Sequence, residues 1–338
     1  MRASVSIVLI AALLLAVPAG ARLHAEGDGA QVVIKVATMI PRTPDVAIQE
    51  KRYNQRLQEA TGGRIQFKTY FGGSAGDDHT VMRKMRSGQI DGAPLGVDVV
   101  AQFVRQCTIL MAPQTFFNYK QVDAVREALS PTFNKEAWEN GFKIMSWWDG
   151  GRVRIFSKTP VRTFDDLRKG RPWLYPESAL LKEFYKMISV TGVPLDLNEV
   201  YGGLTTNMID TVWISSVLGT AFRWTSQTHF VSATPVDVIQ GAFLLRKETW
   251  EGLSKADQKV LDDVMAEQSV KTIKQFREDD EKTFVKLQTH GLTPFTFANE
   301  KEWADVGEKL RLKMVGRTYS KELLDKVEAI TKKFPGTM

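Results

Sequence analysis

Val32–Pro94 reads VVIKVATMIPRTPDVAIQEKRYNQRLQEATGGRIQFKTYFGGSAGDDHTVMRKMRSGQIDGAP, and its patterning decides the fold. Val32–Thr38 is a run of β-branched residues and predicts a buried strand. Pro44–Ala60 carries apolar residues at helical spacing, stopped by Thr61-Gly62-Gly63. Arg64–Tyr70 alternates like a second strand. Asp77–Ser87 reads as a helix ended by Gly88, and Gln89–Pro94 as a short strand. The order β-α-β-α-β implies an open sheet covered by helices. Such sheets take ligands beyond the carboxyl ends of their strands, here the loops Met39–Thr43, Phe71–Asp78 and Leu95–Asp98.

A second unit repeats the alternation. Val153–Ser157, Trp173–Tyr175, Val193–Leu195 and Asn207–Ile214 read as strands, and Thr163–Lys169, Glu177–Ser189 and Asn198–Thr205 as helices. Ser87–Gly92 and Thr205–Thr211 echo each other: in both, a helix feeds a strand through a polar turn containing an Asp. Strands around Trp147–Phe156 and Val236–Leu245 link the halves, the arrangement of a hinged clamp. Thr249–Leu287 predicts one very long helical stretch, with Ser254 and Asp257 placed as an N-cap and its acid. Gly291–Phe297 (strand), Glu300–Lys313 and Ser320–Lys333 (helices) follow.

Residues 1–25 have the form of a secretory leader: Arg2, the apolar run Val5–Val17, then small residues allowing cleavage after Ala21 or Ala25. The run falls short of the ~20 residues of a membrane span. The remainder suits two domains: 26–150 with about 236–278, and 151–235 with about 279–338. The lone Cys107, in an apolar run, excludes an intramolecular disulfide and reads as a buried, inert thiol. The formal charge of +6 is well mixed along the chain, which argues against nucleic acid.

No enzymatic constellation is legible. His24, His79, His229 and His290 are isolated, and no pair has metal-ligand spacing. Phe71–Gly76 is glycine-rich but lacks the Lys-Ser/Thr of a phosphate loop. Asp165-Asp166 and Asp279-Asp280-Glu281 read as solvated helix surface. No cofactor is implied.

Six short motifs in order give the chain a resemblance: Thr61-Gly62-Gly63-Arg64, Phe71-Gly72-Gly73-Ser74-Ala75-Gly76-Asp77-Asp78, Met85–Ala93, Ala112–Phe117, Asn198-Glu199-Val200-Tyr201, and Val161–Ser178 (VRTFDDLRKGRPWLYPES). Together, over about residues 32–325, they resemble the solute-binding subunit of TRAP (tripartite ATP-independent periplasmic) transporters, of the DctP type. The resemblance implies an α/β Venus-flytrap clamp of two lobes, each a sheet flanked by helices, with hinge strands and a long helix spanning both. It implies a periplasmic receptor, not an enzyme, handing a small-molecule ligand to membrane permease subunits.

The resemblance breaks at the site. Leu174 stands where the family places its principal carboxylate-gripping arginine, and Trp213-Ile214 replace a Glu-Asn pair. Arg152 matches a second arginine, with a pairing to Asp149 or Asp237 as the alternative; Arg171 could supply a shifted charge. Trp173, Trp213 and Leu174 could equally be core. A carboxylate buried without a partner costs several kcal/mol, whereas burying ~300 Å² of hydrocarbon is worth roughly 7 kcal/mol gross. The expectation is therefore a hydrophobic or amphipathic, even lipid-like, ligand whose acid head reaches Arg152. The candidate contacts are Arg152, Leu174, Tyr175, Trp173, Trp213, Ile214, Met39, Phe71, Asp78 and Trp148. A lipid-binding chaperone or sensor subunit with a helical-repeat partner is the alternative.

Overall fold

The computed structural model describes residues 31–113 and 115–335. The leader and Gln114 of the Ala112–Phe117 motif lie outside the described residues. The first wing follows the expected order: β1 (Val32–Ala37), α1 (Pro44–Thr61), β2 (Ile65–Tyr70), α2 (Asp78–Arg86) and β3 (Gly92–Gly96). β1 pairs in parallel with both β2 and β3. Side chains start the helices where the sequence places polar residues: Thr43 accepts from the Val46 N–H and Asp77 from the Thr80 N–H. β3 begins three residues later than expected, because Gln89–Asp91 form the turn out of α2.

A short helix α3 (Val97–Val100), a 3-10 turn at Arg105–Met111 holding the buried Cys107, and the 21-residue α4 (Tyr119–Glu139) follow. α4 is absent from the sequence reading. Pro131 interrupts its interior, yet Asn118 and Gln121 close a capping box at its start. β4 (Phe142–Ser157) is 16 residues long.

The second wing is built from α5 (Phe164–Lys169), β5 (Trp173–Leu174), α6 (Ala179–Met187), β6 (Val193–Pro194), α7 (Val200–Thr205), β7 (Thr211–Ile214), α8 (Ser216–Ala221) and β8 (Phe230–Ser232). The chain then returns through β9 (Asp237–Arg246), and the strand order is β10-β8-β4-β9-β3-β1-β2, with β7 also on β4. β10 is Thr293–Phe295. β9 pairs antiparallel with β3 and the first part of β4, whereas the end of β4 pairs with β7 and β8. One strand thus belongs to both wings.

The expected single helix over Thr249–Leu287 is two: α9 (Lys247–Glu251) and the 35-residue α10 (Lys255–Thr289), separated at Gly252–Ser254. At 1.5 Å per residue α10 is roughly 50 Å long, and it packs on α1, β4 and α8. Asp280, expected on a solvated face, is 1% exposed. It accepts the backbone N–H groups of Arg152 (2.9 Å) and Val217 (3.1 Å), so it fastens α10 to both β4 and α8. α11 (Glu300–Met314) lies on α6, but α12 (Lys321–Thr331) packs against α4. The chain end expected in the second lobe therefore closes on the first, where Gln121 Nε2 donates to the Thr331 carbonyl at 3.1 Å.

Candidate ligand-binding site

A cavity of about 240 Å³ opens where the carboxyl ends of β1 and β3 face β5, β7 and α6. Thr38, Met39 and Ile40 come from β1 and its loop, Pro94, Gly96 and Asp98 from β3 and its continuation. Trp173, Tyr175 and Leu181 come from the opposite side, with Trp213, Ile214 and Phe222 beside them and Trp303 from α11 behind. The wall is overwhelmingly apolar and aromatic. Phe184, Trp213 and Trp303 pack mutually with ring centroids 5.7–6.2 Å apart.

Two of the wall's indole N–H groups are tied up behind it, whereas the buried Trp148 Nε1 has no partner among the described residues. Trp213 Nε1 donates to the Tyr185 hydroxyl at 2.7 Å, which donates to the Trp173 carbonyl at 2.9 Å. Trp173 Nε1 donates to the Leu195 carbonyl at 2.8 Å. With their N–H groups satisfied, Trp173 and Trp213 offer the cavity carbon faces. Trp148 is held in place by Gly241: a Cβ there would lie 2.1 Å from the indole, so only glycine lets the ring lie against β9.

Against this wall stand three carboxylates, Asp78, Asp98 and Asp237. The Tyr175 hydroxyl donates to Asp78 at 2.6 Å, and Ser178 bonds Asp98. Among the described residues, Asp237 accepts only from its neighbour's backbone, the Val238 N–H at 2.7 Å. Burial, reinforced by nearby acids, pushes Asp78 and Asp98 up to about 6 and Asp237 well above the usual carboxylate range.

Of the predicted contacts, Met39, Asp78, Trp148, Trp173, Tyr175, Trp213 and Ile214 line this cavity. Three do not. Phe71 lines an adjoining apolar cavity of about 180 Å³ between the first sheet, α1 and α10. Leu174 turns away and packs against Gly192, whose Cβ would meet it at 2.8 Å. Arg152 is directed at α10: its Nε lies 3.3 Å from Glu281, and its guanidinium covers the Tyr119 ring at 5.4 Å. It pairs with neither Asp149 nor Asp237. Asp149 is instead taken by Arg126 (2.5 Å) and Arg277 (2.7 Å). Arg171 supplies no shifted charge either; it is half-exposed and faces Asp210 at 3.6 Å.

The misplacement of Arg152 has a local cause. Strict alternation from Trp148 would put residue 152 on the cavity face. β4 carries a bulge at Asp149–Gly151, where an extra residue opposes the Gln240–Ile239 step of β9. The bulge reverses the alternation, so Val153 joins Trp148 in the cavity wall.

The two-winged sheet and its cleft agree with comparison to known proteins. A profile of DctP, bacterial extracellular solute-binding protein family 7, matches residues 38–317. The chain belongs to this family. Among its relatives, the 2,3-diketo-L-gulonate-binding periplasmic protein YiaO of Escherichia coli (strain K12) is 25% identical over 280 residues, 80% of this chain and 83% of that protein. The ectoine-binding periplasmic protein TeaA of Halomonas elongata is 25% identical over 289 residues, 78% of this chain and 80% of that protein. A TRAP periplasmic solute-binding protein from Pseudomonas putida F1, solved with bound D-glucuronate, superposes with a TM-score of 0.81 at 19% identity, covering 91% of this chain and 99% of that one. This DctP-family chain is thus a solute receptor with the two-lobed α/β fold and not an enzyme, as its motifs implied. Asp98, Asp237, Phe184 and Trp303 had not been singled out as ligand contacts. Asp98 sits in a loop already flagged at a strand end, but nothing in the sequence ties Trp303 to a cavity whose other walls lie far earlier in the chain.

Proposed function

We propose that this DctP-family receptor works in the periplasm. It captures a ligand of largely apolar surface between its lobes and delivers it to the permease of a TRAP transporter driven by an ion gradient. The lobes of this reading are residues 26–150 with about 236–278, joined by α12, and 151–235 with about 279–320. The observation that carries the ligand class is the cavity wall: Trp148, Trp173, Trp213, Trp303, Phe184 and Phe222 face it, and among the described residues no arginine does. Relatives are named for sugar-acid or ectoine binding. A small carboxylate in this cavity would lose its hydration and meet no cation, a cost of several kcal/mol, while an apolar body gains about 25 cal/mol per Å² buried. The acid head once expected to reach Arg152 has no partner in the cavity, because Arg152 is engaged by Glu281 and Tyr119.

Purification of the exported protein from its native periplasm, denaturation and mass spectrometry of the released small molecules test the reading. An apolar or amphipathic compound is expected. Recovery of a C4-dicarboxylate or a sugar acid would overturn it. The same apolar wall favours, second, a lipid carrier or sensor subunit acting with a helical-repeat partner. Ligand uptake by cells that depends on the permease genes separates transport from that reading.

A further inference from the structure

The reading of the cavity as the ligand site leaves its electrostatics unexplained. An apolar wall alone would fold better without carboxylates in it, since each pays to leave water. Yet Asp78, Asp98 and Asp237 all line this cavity, and among the described residues that line it there is no Lys, Arg or His. The nearby cations are committed elsewhere. Arg154 donates to the Ser232 carbonyl at 3.1 Å and stacks on Phe284, and Arg126 and Arg277 share Asp149. The three aspartates are close enough to feel one another, Asp98 repelling both Asp237 and Asp78. Hydrogen bonds from Tyr175 and Ser178 satisfy part of two of them; among the described residues Asp237 has only the Val238 N–H.

We infer that the ligand is an organic cation, a protonated amine or quaternary ammonium group on an apolar or aromatic body, its charge held among Asp78, Asp98 and Asp237 and its body laid against the tryptophans. Both halves of the site ask for this ligand independently. Carboxylates with no counter-ion attract a cation and repel an anion. Indole faces bind cations through the ring quadrupole, most strongly where water is excluded. The deduction names the ligand class for the cavity proposed above and rests on that proposal.

The raised proton affinities of the acids accord with a site whose counter-charge arrives with the ligand. A cation should therefore bind more weakly as the pH drops from 7 to 5. The groups that set this dependence are Asp78, Asp98 and Asp237 in the wall; the charged groups facing them are Glu177, Asp77 and Asp196, with His79 paired to Glu177.

The test is calorimetric titration of the full exported protein with three probes sharing an indole body: tryptamine, its charge-reversed counterpart indole-3-propionate, and neutral 3-propylindole. Tryptamine is expected to bind at least tenfold more tightly than either of the others at pH 7. Asp98→Asn and Asp237→Asn should each lower its affinity tenfold or more while leaving 3-propylindole unchanged or tighter. A propionate that binds as well as tryptamine overturns the inference, and so does failure of tryptamine to bind. Equal binding of all three probes removes the cation but keeps the apolar cavity. D-Glucuronate binding with none of the indoles removes the apolar cavity as well. The probe comparison is made on unaltered protein, so it stands even if a variant does not fold.

Discussion

Asp98 shows how a binding site can be held at the expense of the empty protein. Burial raises its carboxyl, like that of Asp78, to about 6. The folded chain then keeps protons that the unfolded chain releases near pH 4, so stability from these two groups is greatest in acid. It declines as pH rises through about 4 to 6 and is lowest above that window. Asp98→Asn should therefore stabilise the unliganded receptor at pH 7 by on the order of 1–3 kcal/mol and change little at pH 4. Urea denaturation of both proteins at the two pH values checks this, and equal gains at both would refute the electrostatic origin. Asp149 has what Asp98 lacks, a counter-charge: Arg126 and Arg277 both close on it. Asp149→Asn should cost on the order of 1–3 kcal/mol, because Arg126 and Arg277 lose their buried acid and keep only the half-exposed Asp123; the shift in the denaturation midpoint reads it. At this scale the sequence pointed to the aromatic residues that line the cavity, because Trp173, Tyr175 and Trp213 lie in or near stretches with family counterparts. It failed at Arg152, whose direction depends on a bulge that alternation cannot reveal.

The elements that position the site are those whose ends are chemically marked. Ser254 accepts the Asp257 N–H and returns its hydroxyl to that carboxylate at 2.9 Å, so α10 starts where the cap residues stand. Ser254→Ala should cost about 1 kcal/mol, measured as a drop in thermal midpoint, with ligand affinity unchanged. The bulge of β4 is stricter. Gly151 has φ +91°, and a Cβ there would lie 2.5 Å from the Asp280 carboxyl carbon. Gly151→Ala must strain the backbone and displace Asp280 from its two amide partners, a loss of roughly 2–4 kcal/mol; a variant as stable as the parent would show that the bulge tolerates a side chain. The capped helices and β-branched strands were legible beforehand. α4 was not, since Pro131 masks its middle and its capping box uses Asn and Gln, residues equally at home in loops.

For the whole molecule, β4 is common to both wings and α10 is fastened across them through Asp280 and Arg277. Bending of β4 about its bulge is the motion these ties leave easiest, and ligand capture is expected to narrow the cleft. Small-angle scattering should record a smaller radius of gyration on saturation with ligand; an unchanged profile would argue for a preformed, static cavity. The two-lobed clamp was foreseeable from alternating strands and helices, but the return of α12 to the first wing was not. That docking rests on contacts made some 200 residues away in sequence. Of the chain's eight tryptophans, Trp148, Trp173, Trp213 and Trp303 look into the cavity. Their emission depends on whether water or a guest lies against the indole, so the receptor is its own optical reporter: occupancy will be visible as a change in the colour and yield of its intrinsic fluorescence, without any label.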